Sequence, residues 1–238
     1  MDSRKIGHHI SGQFNKELED VRNKVVSMGE LVERQIELAI TAFTTGDMEM
    51  AELVIKQDNQ VDALEMAIDQ ECVQILALRQ PEAFDLRLLI TVIKVINELE
   101  HVGDLAERIA KIAIQLSSTD NNKDNQYCEL EHMAELVQNM LHDALDAFTR
   151  MNIEDVTTIT ALDKNIDREY SSIIRQLITR MMENPRNINR MLEVLWIARS
   201  LERIGELACN VCEHLVYLVR GEDVRHLTQA ELERKIKE

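Results

Sequence analysis

The chain has 238 residues, of which only 7 are Gly and 2 are Pro, and 3% are aromatic. So few helix-breaking residues leave little material for the turns of a β-rich fold, and the composition predicts long helices. The formal net charge of −16 at pH 7 argues against nucleic acid as a direct partner, because a phosphate backbone would be repelled.

Apolar residues recur every three or four positions from Ile10 to Phe43, which predicts one long first helix. Gly46 ends this helix, and Asp47 is placed to cap the second. Pro81 suits the first position of a third helix, which runs to about Leu116. The polar stretch that follows has nothing to bury and marks a domain boundary.

The second half of the chain repeats the first. Ala42-Phe43-Thr44 returns as Ala147-Phe148-Thr149, and Asp58-x-x-Val61-Asp62 returns at the same offset as Asp163-x-x-Ile166-Asp167. We therefore predict an all-α protein made of two tandem, internally duplicated three-helix bundles. The predicted bundles span residues 1–118 and 127–220. A polar linker covers 119–126, and 221–238 form a polar, loosely held C-terminal tail.

Acidic residues continue the apolar stripes of several predicted helices. On the third helix Glu100, Asp104 and Glu107 follow the apolar side, whereas Arg87, Thr91, Lys94, Glu98 and His101 are assigned to the solvent side. Carboxylates that face a bundle repel one another and lose hydration, so something must compensate them. The same placement recurs in both halves, and the main positions are Asp58, Asp62, Glu100, Asp104, Asp163, Asp167, Glu202 and Glu206.

Two interpretations of these acidic faces stay open. In one, the acids pair with Arg or Lys or remain hydrated at a flaring end of the bundle. In the other, they provide oxygen ligands for divalent or ferric metal ions of unknown identity, because hard cations prefer carboxylates. A ferritin-like di-iron site is suggested by Glu98-x-x-His101 and Glu129-x-x-His132. We interpret that match as accidental, because Glu98 and His101 are assigned to the solvent face.

Two other features bear on chemistry and location. Cys209-x-x-Cys212 lacks the context of a redox or zinc motif, and both cysteines are expected to pack as small apolar helix residues. The longest hydrophobic run is short and contains Lys94, so no membrane span is expected, and the four cysteines suit a reducing cytoplasm. No nucleophile with its base and no phosphate-binding Gly loop is recognisable, so we predict a non-enzyme.

Four stretches resemble the signature sequences of the PhoU family: Arg79-Gln-Pro-Glu-Ala-Phe-Asp-Leu-Arg87, Glu98-Leu-Glu-His-Val-Gly-Asp104, Leu141-His-Asp-Ala-Leu-Asp-Ala-Phe148 and Arg199-Ser-Leu-Glu-Arg-Ile-Gly-Glu206. Ile10-Ser-Gly-Gln-Phe14 is similar to the enterobacterial form. The resemblance extends along nearly the whole chain and preserves the duplication.

The resemblance implies a negative regulator of the phosphate regulon in a Gram-negative cytoplasm. Such a protein links the phosphate-specific ABC transporter, through its ATPase subunit, to the sensor histidine kinase PhoR, and it reaches the membrane only through these partners. The family's Glu/Asp-x-x-x-Asp motifs, which hold metal clusters in some members, fall on Glu100 and Asp104, Asp58 and Asp62, and Asp163 and Asp167. In the last helix the pattern gives Glu202 and Glu206, where Glu206 replaces the usual Asp.

Three residues are predicted to contact protein partners. Asp85 and Arg87 lie at the start of the third helix, with Arg87 free to pair with a partner carboxylate, and Ala147 is small enough to allow close approach. Trp196, Leu207 and Leu105 are assigned to outward helix faces and predict a homodimer or larger assembly. The alternatives are a metal store or metalloenzyme on the same bundles, or a metal-free adaptor at the membrane surface.

Overall fold

A computed structural model describes residues 12–119 and 127–237, and every regular element in those ranges is a helix. The long helices are α1 (Gly12–Thr45), α2 (Met48–Arg79), α3 (Ala83–Thr119), α4 (Cys128–Arg150), α5 (Val156–Glu183) and α6 (Ile188–Arg220). One 3-10 turn, Pro185–Asn187, precedes α6, and a short α7 (Gln229–Lys237) follows it. The predicted all-α class is confirmed.

The turns use the residues that their backbone geometry requires. Gly46 ends α1 with a φ of 72°, and Asp47 caps α2 by accepting a hydrogen bond from the backbone N–H of Met50 at 3.0 Å. Gln80 adopts a left-handed conformation at the end of α2. Pro81 lies two residues before α3, which begins at Ala83, so the prediction that Pro81 starts the helix was early by two residues.

Each half of the chain forms a three-helix bundle around its own apolar stripe. Helices α1, α2 and α3 pack together in the first bundle, and α4, α5 and α6 pack together in the second. The largest fully buried side chains include Leu18, Met28, Ile36, Ile68, Leu99 and Ile109 in the first bundle, and Met133, Met140 and Leu141 in the second. The predicted duplicated architecture is therefore confirmed.

The two bundles pack against each other through α3 and α6, with a smaller contact between α1 and α4. Helices α3 and α6 run antiparallel, because Arg87 at the start of α3 reaches Leu218 near the end of α6, while Arg108 lies over the ring of Trp196 near its start. The side of α3 that was predicted to face solvent is therefore the inter-bundle interface. Thr91 on this side is fully buried.

The C-terminal segment is folded onto the second bundle. Gln229 Nε2 donates a hydrogen bond to Thr157 O of α5 at 2.8 Å, and Arg220 donates to the carbonyl of Ile236 at 2.8 Å. Val224 and Leu232 are buried. The expectation of a loosely held tail is wrong for residues 221–237, because these buried apolar groups and the two hydrogen bonds hold the segment in place. The predicted linker, apart from Thr119, lies outside the described residues, and the domain boundaries stay a prediction.

None of the helices in the described ranges is both long and apolar enough to cross a membrane.

Candidate metal centre

The first bundle brings three carboxylates together between α2 and α3. Asp58 comes from α2, and Asp104 and Glu107 come from successive turns of α3. One carboxylate oxygen from each lies within 4.8 Å of the other two, which is the spacing of ligands around one cation. Within residues 12–119 and 127–237 no other group of His, Cys, Asp or Glu side chains meets this condition. Asp58 and Asp104 had been predicted as ligands, whereas Glu107 had only been placed on the same face.

Gly103 allows the acidic side chain of α2 to approach α3 closely. A Cβ at this position would lie 3.1 Å from Asp58 Oδ1, 3.3 Å from Val61 Cγ1 and 3.4 Å from Gln35 Oε1. Since 3.1 Å is too short for an ordinary contact, any larger residue would push the Asp58 carboxylate away. The glycine therefore fixes the distance between the two helices at the acidic cluster.

Burial and mutual repulsion disfavour the simultaneous ionisation of all carboxyl groups in this cluster. Asp58 is only 8% exposed, and its burial, followed by the negative charges of Glu107, Asp62 and Asp104, raises its pKa to about 6. Burial and the charge of Asp104 also raise the pKa of Glu100. Lys111 is the cation that pairs with the cluster, with Nζ 2.5 Å from Glu107 Oε2, and the His101 imidazole lies 3.8 Å from Glu100.

Gln35 of α1 lies beneath the cluster and was not predicted. Its side chain is fully buried, and an interaction with its amide lowers the pKa of Asp58 against the larger effect of burial. Neither Oε1 nor Nε2 has a well-formed hydrogen bond among the described residues, so the amide is incompletely satisfied beside the cluster. In the sequence, Gln35 could have been noticed as a polar residue within the apolar stripe of α1, between Val32 and Ala39.

The second bundle holds its predicted acids differently. Asp163 and Asp167 come from α5, and Glu202 and Glu206 come from α6. Arg199 donates to Glu202 Oε1 at 2.6 Å. Arg203 donates to Glu206 Oε2 at 2.6 Å.

Two carboxylate oxygens of this second cluster, Asp163 Oδ1 and Glu202 Oε2, are buried without a hydrogen-bond partner in the described chain. Burial, followed by neighbouring carboxylates, raises the pKa values of Asp163 and Glu202, while Arg199 opposes the rise at Glu202. Each cluster thus contains both paired and unpaired acids: Lys111 pairs with Glu107 in the first bundle, and Arg199 and Arg203 pair with Glu202 and Glu206 in the second.

The residues predicted to contact partners are less accessible than expected. Ala147 is fully buried in the second bundle, and Asp85 is buried at the start of α3. Arg87 is not free, because its Nε donates to the carbonyl of Leu218 at 3.4 Å and its guanidinium lies 5.9 Å from the centre of the Phe84 ring. Arg87 had been treated as surface because the packing of α6 on α3 is not visible in the pattern of α3 alone.

The apolar residues assigned to outward faces differ in exposure. Leu207 is buried and Leu105 is half-buried against the core, whereas Trp196 is 47% exposed with the Arg108 guanidinium 4.7 Å from its ring centre. Of the three, Trp196 is the outward group that was expected, and the homodimer stays a prediction.

The ferritin-like pattern does not assemble at Glu98. Asn210 Nδ2 donates to Glu98 Oε2 at 3.2 Å, and His214 Nε2 lies 3.4 Å from Glu98 Oε1, so this acid is held by α6 and not by His101. Glu98 had been assigned to solvent, and the reason for excluding it was therefore wrong. Cys209 and Cys212 are free thiols on α6, and burial raises both pKa values, to about 12 for Cys212.

Comparison with known proteins identifies the family. The family model described as PhoU domain matches twice, at residues 25–113 and 130–215, once in each bundle. A phosphate-specific transport system accessory protein PhoU homolog of Pseudomonas putida is 49% identical over 222 residues, which are 93% of this chain and 86% of that protein. The accessory protein PhoU of Escherichia coli K12 is 45% identical over 234 residues, 98% of this chain and 96% of that protein.

Solved structures agree with this result. The crystal structure of PhoU from Pseudomonas aeruginosa superimposes with a TM-score of 0.84 and 46% identity, over 88% of this chain and all of that one. The phosphate transport system regulatory protein PhoU from Streptococcus pneumoniae gives a TM-score of 0.82 at 32% identity, over 89% of this chain and 99% of that one.

Proposed function

The chain belongs to the PhoU family, and on that premise we propose that it is the negative regulator of a phosphate regulon. In this role it couples the phosphate-specific ABC transporter, through the ATPase subunit, to the sensor histidine kinase PhoR in the cytoplasm. The observation that carries the proposal is the similarity over 98% of the chain to an accessory protein of the phosphate-specific transport system. The proposed role is regulatory and not enzymatic, as the accessory role in that name suggests.

Two exposed apolar tips support contact with protein partners. The hairpin of α2 and α3 exposes Val73, Leu78 and Leu86, and the hairpin of α5 and α6 exposes Ile178, Met182 and Ile188. Leu78 is 77% and Met182 is 78% exposed. Large apolar groups at such exposure favour a binding surface, for a homodimer or for the transporter and kinase.

We propose further that Asp58, Asp104 and Glu107 bind a divalent or ferric ion. The fit is supported by the spacing of their oxygens, by the all-oxygen donor set and by the incompletely satisfied amide of Gln35 beside them. A bound cation would offset the repulsion that raises the pKa of Asp58. In this role the ion is structural and regulatory: it joins α2 to α3 in the first bundle.

The regulatory proposal is tested by complementation. We expect the gene to restore repression of alkaline phosphatase in phosphate-rich medium when expressed in an Escherichia coli strain that lacks its own accessory protein. A strain carrying Leu78→Glu and Met182→Glu should lose part of the repression with an unchanged circular dichroism spectrum, because both residues are exposed. Full derepression with the natural sequence, at normal expression, would contradict the proposed function.

A further inference from the structure

We infer that the two acidic clusters differ in their cations: the first bundle holds a metal ion, whereas in the second bundle the guanidinium groups of Arg199 and Arg203 pair with Glu202 and Glu206 in place of one. The inference rests on the proposed metal site and adds which half of the duplicated chain carries it. Its consequence is that the chain has one metal centre and not two.

The duplication shows where the halves differ. Glu100 corresponds to Glu202 and Asp104 corresponds to Glu206, so both halves keep an acid at each of these positions. At the same offset Asn97 corresponds to Arg199, and His101 corresponds to Arg203. The residues three positions before Glu202 and Glu206 are therefore arginines, whereas the matching residues of α3 are an amide and an imidazole.

Arg199 and Arg203 each pair with an acid of the second cluster. Each forms an ion pair of 2.6 Å with the acid one turn further along α6, and Arg199 also lies 5.9 Å from the centre of the Tyr170 ring. Tyr170 stands where the first bundle has Glu65. In the described part of the first bundle no Arg or Lys ion pair reaches Glu100 or Asp104, and Lys111 pairs with Glu107.

The possible metal-ligand atoms of the two bundles also differ, and this difference too favours metal binding in the first bundle. Glu107, the third carboxylate of the first cluster, corresponds to Cys209, which offers no oxygen ligand. Gln35 corresponds to Met140. The first cluster thus has three carboxylates and an amide, all oxygen donors that suit a hard cation. The second loses two of these oxygen donors and gains two positive charges, and each change weakens binding of a hard cation.

Manganese(II) is a suitable probe, because it prefers oxygen ligands and its binding is measured by calorimetry and by electron paramagnetic resonance. We expect the purified full chain to bind Mn²⁺ at a site that Asp58→Asn with Asp104→Asn abolishes. The matched pair in the other half, Asp163→Asn with Glu206→Gln, should leave Mn²⁺ binding unchanged. Gln35→Met, which installs the residue of the second half, should weaken Mn²⁺ binding at least severalfold.

The decisive variant gives the second half the residues of the first. Arg199→Asn with Arg203→His should create additional Mn²⁺ binding, which disappears when Asp163→Asn and Glu206→Gln are added. Both arginines are exposed, so the fold should be retained, as circular dichroism and the thermal midpoint will show.

The outcomes separate the two proposals. Mn²⁺ binding that is lost with the second-half acids in the natural chain would overturn the inference and keep the metal proposal. Failure of the double arginine variant to gain a site would also overturn it. Absence of Mn²⁺ binding in every protein would reject the metal centre and the inference together, while the phosphatase assay would still decide the regulatory function.

Discussion

Glu98 of α3 and His214 of α6 meet inside the interface between the two bundles, with Oε1 and Nε2 3.4 Å apart. Asn210 donates to the second oxygen of the same carboxylate at 3.2 Å. Burial raises the pKa of Glu98, but the hydrogen bonds from His214 and Asn210 outweigh it and hold the pKa below its usual value. A partly buried acid of the first bundle is thus hydrogen-bonded by the second.

We expect Glu98→Ala to lower the free energy of unfolding by about 1–3 kcal/mol, because it leaves the polar groups of His214 and Asn210 buried without their acceptor. The contribution of Glu98 exists above the unfolded pKa of a glutamate and is lost as the pH falls through the lowered folded value. Urea unfolding at neutral pH measures the change. Glu52→Ala, which removes an exposed pair with Lys56, is the control and should change stability by less than about 0.5 kcal/mol. Equal effects of the two substitutions would contradict the buried contact.

Asp58→Asn should stabilise the metal-free protein at pH 7.5. The native state raises the pKa of Asp58 from 3.8 to about 6, so this group favours folding below the unfolded pKa, and that contribution is lost as the pH rises through 6. Thermal unfolding in chelator should show a gain on the order of 1–2 kcal/mol at pH 7.5, after allowance for screening by water, and a smaller one at pH 4.5. An equal gain in stability at pH 7.5 and pH 4.5 would show that burial and neighbouring charges do not destabilise the ionised Asp58 carboxylate.

Gly103→Ala should weaken Mn²⁺ binding by about tenfold, equivalent to ~1.4 kcal/mol, because the added methyl group displaces the Asp58 carboxylate. Gly205→Ala is the matched control in the second bundle. There the new Cβ meets the end of the Ile166 side chain at 3.0 Å and lies 3.7 Å from Asp163 Oδ1, so a flexible group yields and Mn²⁺ binding should not change. Calorimetric titration distinguishes the two; a loss of affinity in both variants would point to a general packing defect.

Leu232→Ala should cost about 2 kcal/mol of stability, because Leu232 of α7 is buried against the second bundle. Glu233→Ala, which alters its exposed neighbour, should have almost no effect. Urea unfolding of the two variants measures the difference. A Leu232→Ala protein as stable as the natural one would indicate that the tail is loosely held after all.

Much of the fold could be predicted from local patterns. The spacing of apolar residues along the first helix, the Gly46–Asp47 junction and the repeated Asp58 and Asp163 motifs are all properties of short stretches. The acids were found because Asp104 continues an apolar stripe and Asp58 flanks one, which is where a carboxylate needs compensation. Gln35 was missed because a single polar residue in a long stripe is a weak signal until its neighbours are known.

By itself, the sequence determined the helices, their duplication and the family, since these depend on periodicity and on motifs that hold within each stretch of chain. Only the tertiary structure decided which helix faces remain in water. The pattern of α3 places Glu98 and Leu99 on different faces of the helix. It does not show that α6 covers Glu98, because helical periodicity assigns residues to faces but does not identify what packs against each face. The ion pairs of Arg199 and Arg203 and the docking of Leu232 depend likewise on how residues distant in sequence are brought together.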